Sequence, residues 1–130
     1  MLAVDTNIVV RLLTGDDAKQ TAIARSLFAS RQIWIAKTVL LEISWVLESL
    51  YGFKDSEIRE ALKRVLGLEN VAAEDAASVA AALALTEGGI EFADALHLCS
   101  RPKDAQFASF DRACVKRAER AGLPGVLPSH

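Results

Sequence analysis

The sequence is poor in the residues that several classes of protein depend on. It contains two cysteines in 130 residues, and Cys99 and Cys114 have neither CxxC nor metal-ligand spacing, so we expect buried, reduced thiols. Aromatic residues make up 6% of the chain, which leaves little surface for stacking sugars. A glycosidase also needs only two catalytic carboxylates, fewer than the candidates this chain offers, so glycoside hydrolysis is not favoured.

Long apolar runs and common nucleotide or nucleophile motifs are missing as well. No apolar run approaches the ~20 residues of a membrane span, and no basic segment follows Met1, so we expect a soluble, cytoplasmic protein without membrane association. No GxSxG, Walker loop or GxGxxG is present. The formal net charge of −2 is not that of an obvious nucleic-acid binder.

Apolar residues make up 52% of the chain and charged residues 25%, which predicts one globular domain over residues 1–130. Strands are predicted at 2–5, 32–36, 70–73, 105–110 and near 126–127. Helices are predicted from residue 8, over 17–29, from Thr38 as cap to about Leu50, and over 55–66, 74–87, 90–100 and 111–121. This order predicts an α/β fold, with a mostly parallel sheet of four to five strands and helices on both faces.

Helical periodicity also predicts which faces are buried. In the helix over 17–29 the apolar stripe is predicted to be Ala18, Ala22, Ile23, Leu27 and Phe28. In the helix from Thr38 it is predicted to be Val39, Ile43, Val46, Leu47 and Leu50.

Asp5 follows the first apolar strand directly. In open α/β sheets the carboxyl ends of the strands face the ligand crevice, so a carboxylate at this place is predicted to point into a site. Thr6 or Asn7 can cap the following helix, which would leave Asp5 available. The alternative is that Asp5 is itself only a helix cap.

Three further carboxylates occupy unexpected places. Glu42 borders the predicted apolar stripe of its helix, and Asp94 lies in a helix that is apolar nearly all round and therefore predicted to be buried. Burying an ionised carboxylate without a partner costs too much free energy, so each should be paired, protonated or bound to a cation. Asp111 repeats the arrangement of Asp5, since it follows a strand and Ser109 and begins a helix, where an N-cap is the alternative.

If the strand ends share one edge, Asp5, Glu42, Asp94 and Asp111 meet in one crevice, and four carboxylates cannot all ionise there without a counter-charge. Oxygen ligands without Cys or His suit Mg²⁺ or Mn²⁺. Such ions activate water for phosphate-ester hydrolysis. Thr6, Asn7 and Ser109 are predicted to orient the ligands or metal-bound water through hydrogen bonds.

Two cations are candidates for binding a phosphate-containing substrate. Arg11 lies one turn beyond Asn7, and Arg112 lies within the segment 101–120, in which basic residues outnumber acidic ones. A solvated helix surface is the alternative for both.

The chain resembles PIN-domain ribonucleases, and among them the VapC toxins of bacterial toxin–antitoxin pairs. The resemblance rests on Asp-Thr-Asn at 5–7, Arg-Leu-Leu-Thr-Gly-Asp-Asp at 11–17, Thr-Val-Leu-Leu-Glu at 38–42, Phe-Ala-Asp-Ala-Leu-His at 92–97 and Ser-Phe-Asp-Arg at 109–112. The family's small polar residue before the last acid is often Thr, and here it is Ser109, which keeps the hydroxyl.

The resemblance places the family's acidic quartet on Asp5, Glu42, Asp94 and Asp111, with Asp5 and Asp94 as direct metal ligands and Asp111 as a further one. It implies Mg²⁺-dependent endonucleolytic cleavage of RNA by a homodimer that a VapB-type antitoxin inhibits. Leu41 and Trp45 lie four apart on one helix face and fit an interface or, equally, a second buried contact.

Two other functions remain open. A haloacid-dehalogenase-like phosphatase also begins with a strand that ends in Asp, but it requires a second Asp two residues later, where Asn7 stands. A non-catalytic metal- or protein-binding α/β module is the other alternative, and an incomplete acidic set would favour it.

Overall fold

The computed structural model describes residues 1–128 and places helices and strands in the predicted order. Five strands lie within these residues: β1 (Leu2–Ala3), β2 (Ile33–Ile35), β3 (Val71–Ala73), β4 (Phe107–Ala108) and β5 (Val126–Leu127). The same described part of the chain contains seven helices: α1 (Thr6–Thr14), α2 (Ala18–Ser30), α3 (Lys37–Tyr51), α4 (Asp55–Leu66), α5 (Ala76–Thr86), α6 (Phe92–Ser100) and α7 (Arg112–Arg120). The α/β class is confirmed.

The chain forms two compact units, one over Met1–Ala76 and one from Ala77 onward. In the first unit β1, β2 and β3 form a parallel sheet with β2 in the centre. Ile33 and Ile35 of β2 are buried, as expected for a central parallel strand whose connections are helical. Helices α3 and α4 follow each other after a short connection and contact each other.

The prediction of a single four- to five-stranded sheet is wrong. The first unit holds three strands, and β4 pairs in parallel with β5 in a separate two-stranded sheet. The backbone N–H groups of Phe107 and Ser109 donate to the carbonyls of Gly125 and Leu127 at 2.8 and 3.0 Å. The order of elements predicts that strands exist, but pairing is a long-range property that the order leaves open.

The buried face of α3 differs from the predicted stripe. Leu40, Ile43, Ser44 and Leu47 are buried, whereas Leu50 is 69% exposed. Apolar residues cover more than one face of this helix, so periodicity alone did not select the packed face.

Two further details correct the sequence analysis. In α2 the buried residues are Thr21, Ala24 and Phe28, and Ile23 is 52% exposed. Thr38 does not cap α3, because the helix begins at Lys37 after Ala36, which makes no side-chain capping bond. The backbone N–H of Lys37 instead donates to Glu74 Oε1 at 2.9 Å, so a carboxylate from a distant part of the chain satisfies this helix start.

The observed face of α3 leads to a stability prediction. Ile43 is fully buried and Leu50 is not, so Ile43→Ala should lower the free energy of unfolding by about 2–5 kcal/mol. Leu50→Ala should change it by about 0.5 kcal/mol or less. Denaturant unfolding of the two variants measures the difference, and equal losses would contradict the assigned face.

None of the helices within residues 1–128 combines the length and apolar character that crossing a membrane requires.

Candidate active site

Asp5 is the N-cap of α1, and its Oδ1 accepts a hydrogen bond from the backbone N–H of Thr6 at 2.7 Å. The prediction that Thr6 or Asn7 caps this helix is therefore wrong. β1 ends at Ala3, and Asp5 is exposed after the buried Val4. Capping uses one of its two carboxylate oxygens, so the capping role and a role as a ligand are compatible.

Glu42 of α3 reaches the same helix start. Its Oε1 accepts a short hydrogen bond from the hydroxyl of Thr6, which is itself buried. Glu42 is exposed, so the expectation that it borders the buried stripe is wrong, although the expectation of a partner is met. Thr6 thus holds Asp5 through its backbone and Glu42 through its side chain.

These side chains line an open pocket of about 370 Å³ in the first unit. Its lining residues come from α1 and α3: Asp5, Thr6, Asn7, Val10, Arg11, Glu42, Val46, Leu50 and Tyr51. Glu42, Val46 and Leu50 are spaced four apart, so one face of α3 forms a wall of the pocket. Two carboxylates and one guanidinium therefore face a single concave surface.

Arg11 is tied into a polar network at the edge of this pocket. Its guanidinium pairs with Asp16 at 3.1 Å and donates to Tyr51 Oη at 3.2 Å and to Gln20 Oε1 at 2.8 Å. The Tyr51 hydroxyl donates a short hydrogen bond to Asp16. Three partners thus fix the orientation of a cation that sequence analysis left as either a phosphate contact or a solvated side chain.

The hydrogen bond from Tyr51 is the main reason why the pKa of Asp16 lies below its ordinary value, and a bond from Thr14 and the charge of Arg11 lower it further. Because the bond favours the ionised carboxylate, Tyr51→Phe should raise the pKa of Asp16 towards that of a free aspartate. Side-chain NMR titration measures this change. Thr14→Val should raise the pKa of Asp16 by a smaller amount. An unchanged pKa of Asp16 in Tyr51→Phe would contradict the hydrogen bond from Tyr51.

In the second unit Asp94 is half-buried in the first turn of α6, and Asp111 is the exposed N-cap of α7. Asp94 is thus less buried than predicted. The side chain of Asp111 accepts from the backbone N–H of Cys114 at 3.0 Å, and its own N–H donates to Ser109 Oγ at 3.0 Å. Ser109 thus holds the backbone of Asp111 and not its carboxylate, and its role in orienting a metal ligand stays a prediction. Arg112 follows as the exposed first residue of α7.

Both cysteines are free thiols, with Cys114 buried and Cys99 half-buried. Burial raises the pKa of Cys114, and the nearby carboxylates of Asp94, Asp111 and Glu91 raise it further. Burial also raises the pKa of Cys99. Cys114 is therefore buried as predicted and Cys99 only partly so, and the charges of Asp94, Asp111 and Glu91 all act on Cys114.

The donor chemistry of the pocket suits a hard divalent cation, since Asp5, Glu42, Thr6 and Asn7 offer oxygen ligands. Within residues 1–128 no group of three or more His, Cys, Asp or Glu side chains is arranged to hold a metal ion. Mg²⁺ keeps several waters and is usually bound by one or two carboxylates together with substrate phosphates. The paired carboxylates at Thr6 meet that requirement, and the four-carboxylate set remains a prediction.

Sequence analysis missed Tyr51 and Asp16. Tyr51 lies nine residues after Glu42 on α3, which is two and a half turns, so helical spacing places it on the opposite face and gave no sign that it lines the same pocket. Its hydrogen bonds to Arg11 and Asp16 join residues 35 to 40 positions apart, and no local pattern indicates such contacts.

Comparison with known proteins identifies the family. No curated protein and no solved structure matches the chain. A family model described as PIN domain matches residues 2–120, a span that includes parts of both compact units. PIN domains are generally metal-dependent nucleases and typically use divalent metals. Because the match covers far more than half of the sequence, the chain belongs to the PIN-domain family.

Proposed function

We propose that the protein is a Mg²⁺- or Mn²⁺-dependent endoribonuclease that acts as a VapC-type toxin. The observation that carries this proposal is the pocket in which Asp5, Glu42 and Arg11 face one another, in a chain that the PIN-domain family model matches almost throughout. Carboxylates beside a guanidinium suit a phosphodiester with its counter-ion.

In this proposal Asp5, Glu42, Asp94 and Asp111 are the catalytic carboxylates, and Asp5, Asp94 and Asp111 ligate the metal. A bound divalent ion neutralises phosphate charge and lowers the pKa of water. The polar side chains of Asn7, Thr6 and Ser109 orient the ligands or metal-bound water through hydrogen bonds.

Several groups of the chain are already positioned for this chemistry. The Thr6 hydroxyl donates to Glu42 and fixes one carboxylate oxygen. Asp16 and Tyr51 hold the guanidinium of Arg11 beside the pocket, where it can bind a phosphate oxygen of the substrate. Such preorganisation spares the reaction the entropic cost of ordering these side chains.

The proposed partners are RNA as substrate, a VapB-type antitoxin as inhibitor and a second copy of the chain in a homodimer. Trp45 is 61% exposed, so it is not part of a buried contact inside the chain. Leu41, one turn earlier, is half-buried. Large exposed aromatic residues are enriched in protein interfaces, and this pair supports the interface interpretation.

A non-catalytic PIN module that binds protein or metal is the second candidate. The absence of a three-carboxylate metal cluster within residues 1–128 favours it. The phosphatase alternative receives no such support, because Asn7 occupies the position of its second aspartate and the family match is to the PIN domain.

Cleavage assays with purified protein, freed of any bound partner, separate these candidates. Structured and single-stranded RNAs are incubated with Mg²⁺, Mn²⁺ or EDTA, and the products are mapped on gels. Metal-dependent internal cuts are expected for a VapC-type toxin, and a partner that co-purifies with the protein should suppress them when it is added back. Metal binding without cutting of any RNA would favour the non-catalytic module.

A further inference from the structure

Phe110 is displayed on the surface between two residues of the proposed site, Ser109 and Asp111. It is 101% exposed, whereas Phe28 and Phe92 are buried. The backbone on both sides is fixed, since the N–H of Ser109 donates to Leu127 and the N–H of Asp111 donates to Ser109 Oγ, each at 3.0 Å. The aromatic ring is therefore held outward by an ordered backbone.

The ring borders a shallow, nearly wholly apolar hollow of about 570 Å³. Its walls are Ala108, Ser109, Phe110, Leu127 and Pro128. An exposed aromatic ring beside an apolar hollow suits a flat ligand with an apolar face. Unpaired nucleobases have this character, and they stack on exposed aromatic side chains with little regard to sequence.

A row of cations begins two residues after Phe110. In α7 the buried side chains are Cys114, Val115 and Ala118. The opposite, exposed face carries a cation at every fourth residue: Arg112, Lys116 and Arg120. Four residues of helix advance about 6 Å, and the row therefore offers regularly spaced charges to a polyanion. Glu119 is the one acid within α7.

We infer that the Phe110 hollow and this row form a binding track for single-stranded RNA. One unpaired base stacks on Phe110 next to Asp111, and the following phosphates lie along Arg112, Lys116 and Arg120. The inference rests on the proposed nuclease function and specifies its substrate as unpaired RNA. The three cations favour a polyanion as the ligand, because an uncharged protein surface would offer them no anionic partner.

The stacking part is tested by direct binding in EDTA, where no cleavage occurs. The probe is a short, fluorescein-labelled, uridine-rich RNA oligonucleotide, and its perfect duplex serves as comparison. Phe110→Ala should weaken binding of the single strand about tenfold or more, and Phe110→Trp should restore it. A stacked base should also quench the fluorescence of the introduced tryptophan beyond any quenching in the wild type.

The phosphate part is tested by the salt dependence of the same binding. Replacement of Arg112, Lys116 and Arg120 by Gln should reduce the slope of log affinity against log salt by about 2, since each contact to a single strand contributes about 0.7. The matched control removes the same charge from α2 and its end, with Lys19, Arg25 and Arg31 replaced by Gln, and should leave the slope unchanged.

Leu68→Ala, at a residue that is 42% exposed, is the control for loss of exposed apolar surface. Unchanged RNA affinity in Phe110→Ala would overturn the inference, and so would a changed oligomeric state without a changed affinity, which would identify a surface between copies. Cleavage is scored separately. If RNA cleavage is the same in Phe110→Ala as in the wild type, the binding track is overturned but the nuclease function is not. If binding depends on Phe110 but no RNA is cut in Mg²⁺ or Mn²⁺, the nuclease function is overturned but the binding track is not.

Discussion

Replacement of Asp5 by asparagine is expected to remove RNA cleavage while helix α1 stays folded. Asparagine caps helices about as well as aspartate, so the bond from the backbone N–H of Thr6 is retained and only the negative charge is lost. Loss of an outer partner of a metal ligand already costs about 10–100-fold in metal affinity or activity. Loss of a proposed ligand should therefore lower kcat/KM at least a hundredfold.

The chain offers a matched control for this variant. Asp17 is also an N-cap, of α2, and its side chain accepts from a backbone N–H further along its helix, that of Gln20 at 2.9 Å. Asp17→Asn should leave cleavage unchanged. Asp5→Ala should lose cleavage and also about 1 kcal/mol of stability, since it removes the cap. Thermal melts and initial cleavage rates measure both effects. Full cleavage by Asp5→Asn would remove the basis of the proposed site.

The sequence was most informative about elements whose signals are local. The left-handed glycines that end α1 and α3, Gly15 and Gly52, mark boundaries that composition already indicated. The ends of the strands were less certain, because β1 and β4 are each two residues long. Strand pairing was not predictable, since β4 and β5 are joined by hydrogen bonds whose partners lie 18 residues apart.

Burial was less predictable than secondary structure. Leu50 follows the helical period of the apolar residues in α3 but is exposed, and Ser44 breaks it but is buried. Hydrophobicity cannot decide between two apolar faces of one helix, because the choice depends on what packs against it. The same ambiguity led to the wrong expectation of burial at Glu42.

The candidate site was predictable in its residue types and not in its connections. Asp5 and Asp111 were recognised from their positions after strands, and both are N-caps, which was the alternative weighed for each. The bond between Thr6 and Glu42 spans 36 positions. Only the fold brings such residues together, so sequence spacing carries no sign of it.

Asp94 gives the second large expected effect. Asp94→Asn should reduce affinity for Mg²⁺ or Mn²⁺, measured by calorimetric titration, and should lower the rate of RNA cleavage about a hundredfold. The substitution nearly preserves volume at a half-buried position of α6. A gross folding defect is therefore not expected, and circular dichroism checks this.

Glu91→Gln is the matched control, because Glu91 is an exposed carboxylate three residues earlier, at the N-cap of α6. Both carboxylates raise the pKa of Cys114, so both substitutions should lower that pKa. If cleavage falls only in Asp94→Asn, a general loss of negative charge near Cys114 is excluded as the cause. Equal loss of cleavage in both variants would instead mean that Asp94 acts only through its negative charge and not as a metal ligand.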